Sequence, residues 1–248
     1  MKKLIKKIPM FKKIEEKLDN LNERKAWIKQ QLENLPEGSL ILDAGCGSQQ
    51  FRKYCNHLEY RGQDFGQYIR DDKKMLGSKT RSKESDMKYE YGELNYVGDI
   101  WNIREADSTF DAILCTEVFE HIPYPIKTVE EFARLLKPGG KLILTAPSAC
   151  LRHMDPYFFY SGFSDRWYEK ILSENSFIIE ELTTVGDYYS WLAVEMARTA
   201  MTHNLFAKIL LLPAFLYYYS KKKNDTSVST LCMGYHVCAT KKLSIANT

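Results

Sequence analysis

The chain is short of the features that mark a secreted, membrane-spanning or polyanion-binding protein. Its 248 residues include only six cysteines, at positions 46, 55, 115, 150, 232 and 238, and no CxxC pair. No Cys/His spacing suits zinc, so no metal is expected. Free thiols in a reducing cytoplasm are the simplest reading. Charge of one sign is scarce as well. Against 35 basic residues stand 32 acidic ones, a net charge of +3, which argues against a nucleic-acid partner for the molecule as a whole. Long hydrophobic runs are missing. The most apolar stretch, "LFAKILLLPAFLYYY" (205–219), has fifteen residues interrupted by Lys208 and Pro213, short for a membrane span. "MKKLIKKIPMFKKIEEK" starts with the charge of an export signal but lacks its apolar core. A cytoplasmic protein without a transmembrane helix is expected.

The sequence is 44% hydrophobic, enough to bury a sizeable core in one α/β domain with appendages. From Ile14 to Leu35 apolar residues recur at helical spacing until Pro36, Glu37 and Gly38 stop them. "SLILDAGCG" reads as a central strand followed by a helix start, and "YRGQDF" as a second strand ending at Asp64. Residues 66–95 are polar, charged and unpatterned, the signature of a functional loop. A strand over Ala112 to Cys115 runs into "TEVFEHI". "PIKTVEEFARLLKPGG" is helical, with Ile126, Val129, Phe132, Leu135 and Leu136 on one face, and "KLILTAP" supplies another strand. After an aromatic loop come a helix ("SDRWYEKILSENS"), a strand ("FIIEELTTV"), a largely helical stretch over 188–219 and a closing strand ("LCMGYHVCATKK"). This alternation predicts a mainly parallel sheet with helices on both faces.

In such sheets ligands bind at the carboxyl ends of the strands, where strand order reverses. Asp43 to Gly47, Asp64, Asp99, Cys115 to Glu117 and Ala146 to Ser148 fall at such ends. Gly45 and Gly47 permit close backbone approach. Asp64, nineteen residues after Gly45, stands where a carboxylate grips a ribose hydroxyl pair. A dinucleotide turn would want a third glycine where Gln50 stands, which weighs against a pyrophosphate. A nucleoside site and an ordinary tight turn both remain open on these residues alone.

"LDAGCGSQQ", "GQDF", "GDI", "FDAILCTEVFEHIPYP" and "FARLLKPGGKLILTAP" resemble the successive motifs of class I S-adenosylmethionine-dependent methyltransferases. The resemblance spans about residues 38–187, and "GYHVCATKK" is similar to the family's last antiparallel strand. It implies a Rossmann-like sheet of seven strands, mainly parallel, with an antiparallel last strand. By position, Asp43, Gly45 and Gly47 would hold the amino-acid end of the cofactor and Asp64 its ribose. Asp99 and Ile100 would frame the adenine, while Cys115, Thr116 and Glu117 would lie near the methionine portion. Gln49 stands where the family often has a glycine. Four segments follow: a basic amphipathic helix over 1–37, the cofactor-binding core over 38–187, a helical insertion over 188–230 and the closing strand and tail over 231–248.

Methyl transfer from a sulfonium is an in-line displacement in which the protein chiefly aligns the acceptor. A hydroxyl acceptor also needs a base. Glu117 and His121, four residues apart, share a face if their turn is helical, and His153 and Asp155 lie just after the fifth strand. His121, His153 and Asp155 are the candidate catalytic residues, with His121 more readily a buried histidine that closes the turn. Tyr157, Phe158, Phe159, Tyr160 and Phe163 crowd one loop, either as core or as an acceptor platform in which Tyr157 and Tyr160 touch the substrate. Similar loops occur in methyltransferases of bacterial surface polysaccharides, which implies a glycan or glycolipid acceptor. The basic amino end and residues 205–223 suit contact with anionic lipid at the inner membrane face, or a cap over the site. A non-catalytic protein that keeps the fold and a nicotinamide-dependent oxidoreductase are the rival readings.

Overall fold

The computed structural model describes residues 20–68 and 91–243. The basic amino end and most of the polar loop lie outside the described residues. Seven strands form one sheet in the order β3-β2-β1-β4-β5-β7-β6: β1 (Leu40–Ala44), β2 (Glu59–Asp64), β3 (Tyr96–Val97), β4 (Phe110–Thr116), β5 (Leu136–Pro147), β6 (Phe177–Val185) and β7 (Gly234–Lys241). All pairings are parallel except those of β7, which runs antiparallel to both β5 and β6. The sheet is therefore the mainly parallel one expected, with one reversed strand.

Strand β1 lies inside the sheet between β2 and β4, and Ile41, Leu42 and Ala44 have no exposed surface. A strand covered on both faces reads as a continuous apolar run rather than an alternating one. One face carries helix α1 (Leu21–Glu33), whose Ile28 and Leu32 pack with Leu35, Ile41, Phe51 and Leu114. Trp27 of α1 stacks on His236 at 4.8 Å and donates its indole N–H to Glu181 at 2.8 Å. The other face carries α2 (Pro125–Leu135) and α3 (Asp165–Glu174). Pro125 starts α2 at the position where a missing N–H costs nothing.

Four local expectations differ. The turn after β1 leads into a short 3-10 helix, Arg52–Tyr54, not an α-helix. Ile126 is 44% exposed, because the buried stripe of α2 is Pro125, Thr128, Val129, Phe132 and Leu135, the i, i+3, i+4, i+7, i+10 set. Leu136 belongs to β5, pairing with Phe110 before a register shift; the chain turns extended at once after Leu135. Residues 188–230 form α4 (Tyr188–Thr202), α5 (Leu205–Ser220) and an unexpected short α6 (Asp225–Thr230). Asp187 joins them, accepting from Ser190 N–H at 2.9 Å and from the Ser227 hydroxyl at 2.7 Å.

Asp43 sits near the end of β1 with 2% exposure, accepting a hydrogen bond from the Tyr60 hydroxyl at 2.7 Å. Burial pushes its carboxyl from 3.8 up to about 7, despite that bond. Between those values the native state holds a proton that the unfolded chain has lost. This group's contribution to stability therefore falls as pH rises through that window and levels off above it. Asp43→Asn mimics the protonated acid. In urea unfolding it is expected to gain on the wild type, by on the order of 2–4 kcal/mol, between about pH 5 and pH 8. A constant difference would show that Asp43 is not a buried acid of this kind.

Candidate active site

Strand order reverses between β1 and β4, and a cavity of about 390 Å³ opens above their carboxyl ends. Its floor is the turn after β1. Gly45, Gly47 and Gln49 all adopt left-handed backbone angles (φ 73°, 50° and 57°). A β-carbon on Gly45 would stand 2.4 Å from Val118 Cγ2, so only glycine fits there beside the loop after β4. Gln49 takes that conformation without being glycine. Its buried amide donates to the Glu93 carbonyl at 2.6 Å and accepts from Arg52 at 3.0 Å. Gly62 and Gly92 make room for it.

Asp64, at the end of β2, accepts from the backbone N–H of Gly47 at 2.8 Å and of Gly66 at 3.1 Å. Each oxygen is thus oriented by one amide and keeps a second lone pair. Gly45, Asp64, Asp99, Ile100 and Glu117 line the same cavity. Glu117, at φ 53°, is a non-glycine residue held in the left-handed region at a strand end. Its carboxylate pairs with Arg24 of α1 at 2.6 Å and accepts from the Thr145 hydroxyl at 3.0 Å.

His121 lines the far end. Its Nδ1 lies 2.6 Å from the Tyr157 carbonyl, which requires Nδ1–H and leaves the Nε2 lone pair free of that bond. Burial lowers its pKa to about 4. Beside it, burial and the nearby Glu117 push the Glu120 carboxyl well above the ordinary range. His153 stands edge-on to His121, ring centres 4.7 Å apart. The loop that carries His153 is clipped to the turn beneath, Phe159 and Tyr160 N–H donating to the Glu120 carbonyl at 2.9 and 3.3 Å.

Several expected site residues stand apart from the cavity wall. Asp43 is beneath the glycine turn, held by Tyr60. The Cys115 side chain is fully buried in the core, and burial drives its thiol pKa well up; strand alternation turns it away from the opening, where Thr116 lies. The Gly47 amide serves Asp64. Asp155 is ion-paired with Arg152, and His153 touches His121 without lining the cavity. The aromatic loop divides its labour. Tyr157 and Phe159 line the cavity, Phe163 is 5% exposed in the core, and the Tyr160 hydroxyl donates outside to the Pro123 carbonyl at 3.2 Å.

Sequence reasoning missed Arg24, Phe65, Trp101 and Met154, which also line the cavity. Phe65 and Trp101 directly follow strand-end motifs, a signal that was available. Arg24 sits ahead of every motif, on a helix without a visible partner. Among the described residues, α4, α5 and α6 contribute nothing to the cavity walls.

Residues 42–144 match a family model described as a methyltransferase domain. The chain is 32% identical over 110 residues to a ubiquinone biosynthesis O-methyltransferase of Xanthomonas axonopodis pv. citri, covering 44% of each chain. It is 29% identical over 119 residues to the Dechloromonas aromatica protein of the same name, covering 48% of each. The matched stretch thus spans under half the length of these curated relatives. Among solved structures, phosphoethanolamine N-methyltransferase 2 of Haemonchus contortus with S-adenosyl-L-methionine aligns with a TM-score of 0.53 at 16% identity. That alignment covers 90% of this chain and 53% of the other. The cyclase SpnF aligns at 0.52 and 16%, covering 88% and 81%. At such identities these two show the fold alone. The family match, the relatives and the sheet agree: the chain carries a class I S-adenosylmethionine-dependent methyltransferase domain.

Proposed function

We propose that the chain methylates a hydroxyl group of an acceptor bound beneath the aromatic loop, using S-adenosylmethionine. The observation that carries this reading is a single cavity with an amide-oriented carboxylate, Asp64, at one end and a neutral, orientation-locked histidine, His121, at the other. The residues present fit the cofactor. Only glycine is accommodated at the closest point of the floor, and Arg24, the one lining arginine or lysine among the described residues, is already paired with Glu117. Nothing is left to neutralise a pyrophosphate, so the nicotinamide reading lacks support. An adenosyl group needs no such cation.

Asp64 would accept from the ribose hydroxyls, with Asp99 and Ile100 beside the adenine. Arg24 and Glu117 offer opposite charges to the carboxylate and ammonium of the amino-acid end. When bound, the cofactor supplies a methyl group activated on a sulfonium. Tyr157 and Phe159 wall the acceptor and keep water out, and the hydroxyl proton is lost toward Nε2 of His121, the histidine that lines the cavity. Alignment of this kind can supply roughly 7–11 kcal/mol and proton removal about 10²–10⁴ in rate. Asp155 is tied to Arg152 and does not line the cavity.

A hydroxyl acceptor accords with the O-methyltransferase names of the relatives. A glycan or glycolipid precursor accords with the aromatic faces of Tyr157 and Phe159, which suit sugar rings. Lipid contact is favoured by α5. No residue of α5 is buried, and Leu205, Phe206, Ile209 and Leu210 are each more than 60% exposed, beside Lys208 and Lys221 to Lys223. No helix among the described residues is long and apolar enough to cross a membrane, so α5 would lie along the surface.

Asp64→Ala is expected to weaken S-adenosylhomocysteine binding at least tenfold in calorimetry, about 1.4 kcal/mol; unchanged affinity in the folded variant removes the ribose assignment. For the lipid contact, the full chain should co-sediment with anionic vesicles at low salt. The double variant Phe206→Asp, Ile209→Asp should lose most of that binding, and a wild type that stays in the supernatant ends the idea.

A further inference from the structure

Helix α1 brings Arg24 to the cavity, yet residues outside the cavity hold the first turns of that helix. Arg24, Trp27 and Gln31 are spaced i, i+3, i+7 and share one face of α1. Trp27 donates its indole N–H to Glu181 Oε1 at 2.8 Å, and the Gln31 amide donates to Oε2 at 3.0 Å. The Thr183 hydroxyl also donates to Oε1, at 2.8 Å. Both oxygens of Glu181 are thus engaged, which fixes its orientation on the edge strand β6. A β-bulge sets this up: Ile179 pairs with Ala239 and Glu181 with Cys238, leaving Glu180 as the extra residue. Bulges re-aim side chains in this way. Glu180 bonds Lys141 and Thr240, and Glu181 is left to serve α1.

A polar row beneath α1 joins this latch to the cavity. Thr145, His236 and Thr183 stand opposite one another on β5, β7 and β6, and directly opposed residues project from one face. Thr145 donates to Glu117, the partner of Arg24, and Thr183 to Glu181. Between them lies His236, 3% exposed and stacked on Trp27. Burial, and after it the Arg24 charge, lower its pKa to about 4. A neutral ring rather than a second cation therefore lies near Arg24. Trp27 is less than one turn from Arg24, about 4.5 Å along the helix axis, so what fixes the one fixes the other.

We propose that Glu181 is a positioning residue for the cofactor: by holding Trp27 and Gln31 it fixes the first turns of α1, and with them the place where Arg24 meets the amino-acid end. This rests on the role given to Arg24 above. Neither Glu181 nor Trp27 lines the cavity, so the effect travels through the helix and reaches only the ligand atoms that Arg24 meets. Adenine and ribose, assigned to Asp64, Asp99 and Ile100, lie outside its reach.

The test is calorimetry of the full-length protein with two ligands. S-adenosylhomocysteine carries the amino-acid end; 5′-methylthioadenosine lacks it but keeps adenine and ribose. Glu181→Ala is expected to weaken the first about fivefold or more and to leave the second within about twofold of wild type. Glu181→Gln, which still accepts from Trp27, is expected to restore both affinities. Trp27→Phe removes the donor and keeps a ring on His236; it is expected to give a smaller split in the same direction, and it decides the matter if Glu181→Ala does not fold. Arg24→Ala is expected to split the ligands as Glu181→Ala does, and the double variant to lose nothing further, because Glu181 acts through Arg24. Equal weakening of both ligands, or losses that multiply in the double variant, overturns the proposal. If Arg24→Ala separates the ligands while Glu181→Ala and Trp27→Phe match wild type, the positioning role alone falls. Wild type that binds neither ligand strikes the methyltransferase reading and the positioning role together.

Discussion

The structure depends on the divergence of the chain between β1 and β4. These strands pair in parallel through Ile41–Ala112, Leu42–Ile113 and Asp43–Leu114, yet their following loops leave in opposite directions because β2 and β5 lie on opposite sides. A gap must open between the loops, and it becomes a pocket because both walls are rigid. One wall is the glycine turn, clamped by Gly47 on Asp64; the other begins at Glu117, held in a strained backbone conformation by Arg24 and Thr145. The two walls nearly meet at Gly45 and Val118, where a single methyl group would close the space.

The electrostatics of the pocket follow from what burial does to each acid. Asp64 has its oxygens occupied by amides and stands ready to accept from hydroxyls. Asp43 and Glu120 have been pushed up by desolvation, one beneath the glycine turn and one beside His121. Arg24 is paired with Glu117. A site rich in carboxylates with one paired cation favours a positively charged sulfur over a phosphate.

Around this core, the two later appendages do different things. The loop over 148–163 reaches back through backbone bonds to Glu120 and closes the pocket, with Gly162 passing so near the Ser148 carbonyl that a β-carbon would sit 2.2 Å away. Helices α4 to α6 take no part in the pocket walls; Asp187 ties α4 to α6, and α5 presents an apolar surface outward.

The sequence by itself determined the sheet, the order of its strand-end motifs and the glycine turn at the cavity floor, because these are local. Apolar runs mark β1, β4 and β5, and Gly45, Gly47 and Asp64 occupy turn positions whose backbone demands few other residue types can meet. It could not determine which motif side chains face the opening: Cys115 turns inward and Thr116 outward by strand alternation, whose phase depends on the final pairing. Ile126 fell on the wrong side of α2 for the same reason of phase. Arg24 and Glu117, 93 positions apart, and Glu120, His121 and His153, spread over 33 positions, meet only because the sheet brings α1 and the aromatic loop over one strand end. Spacing along the chain carries no trace of such encounters; the tertiary fold decides them by where it buries each helix and loop.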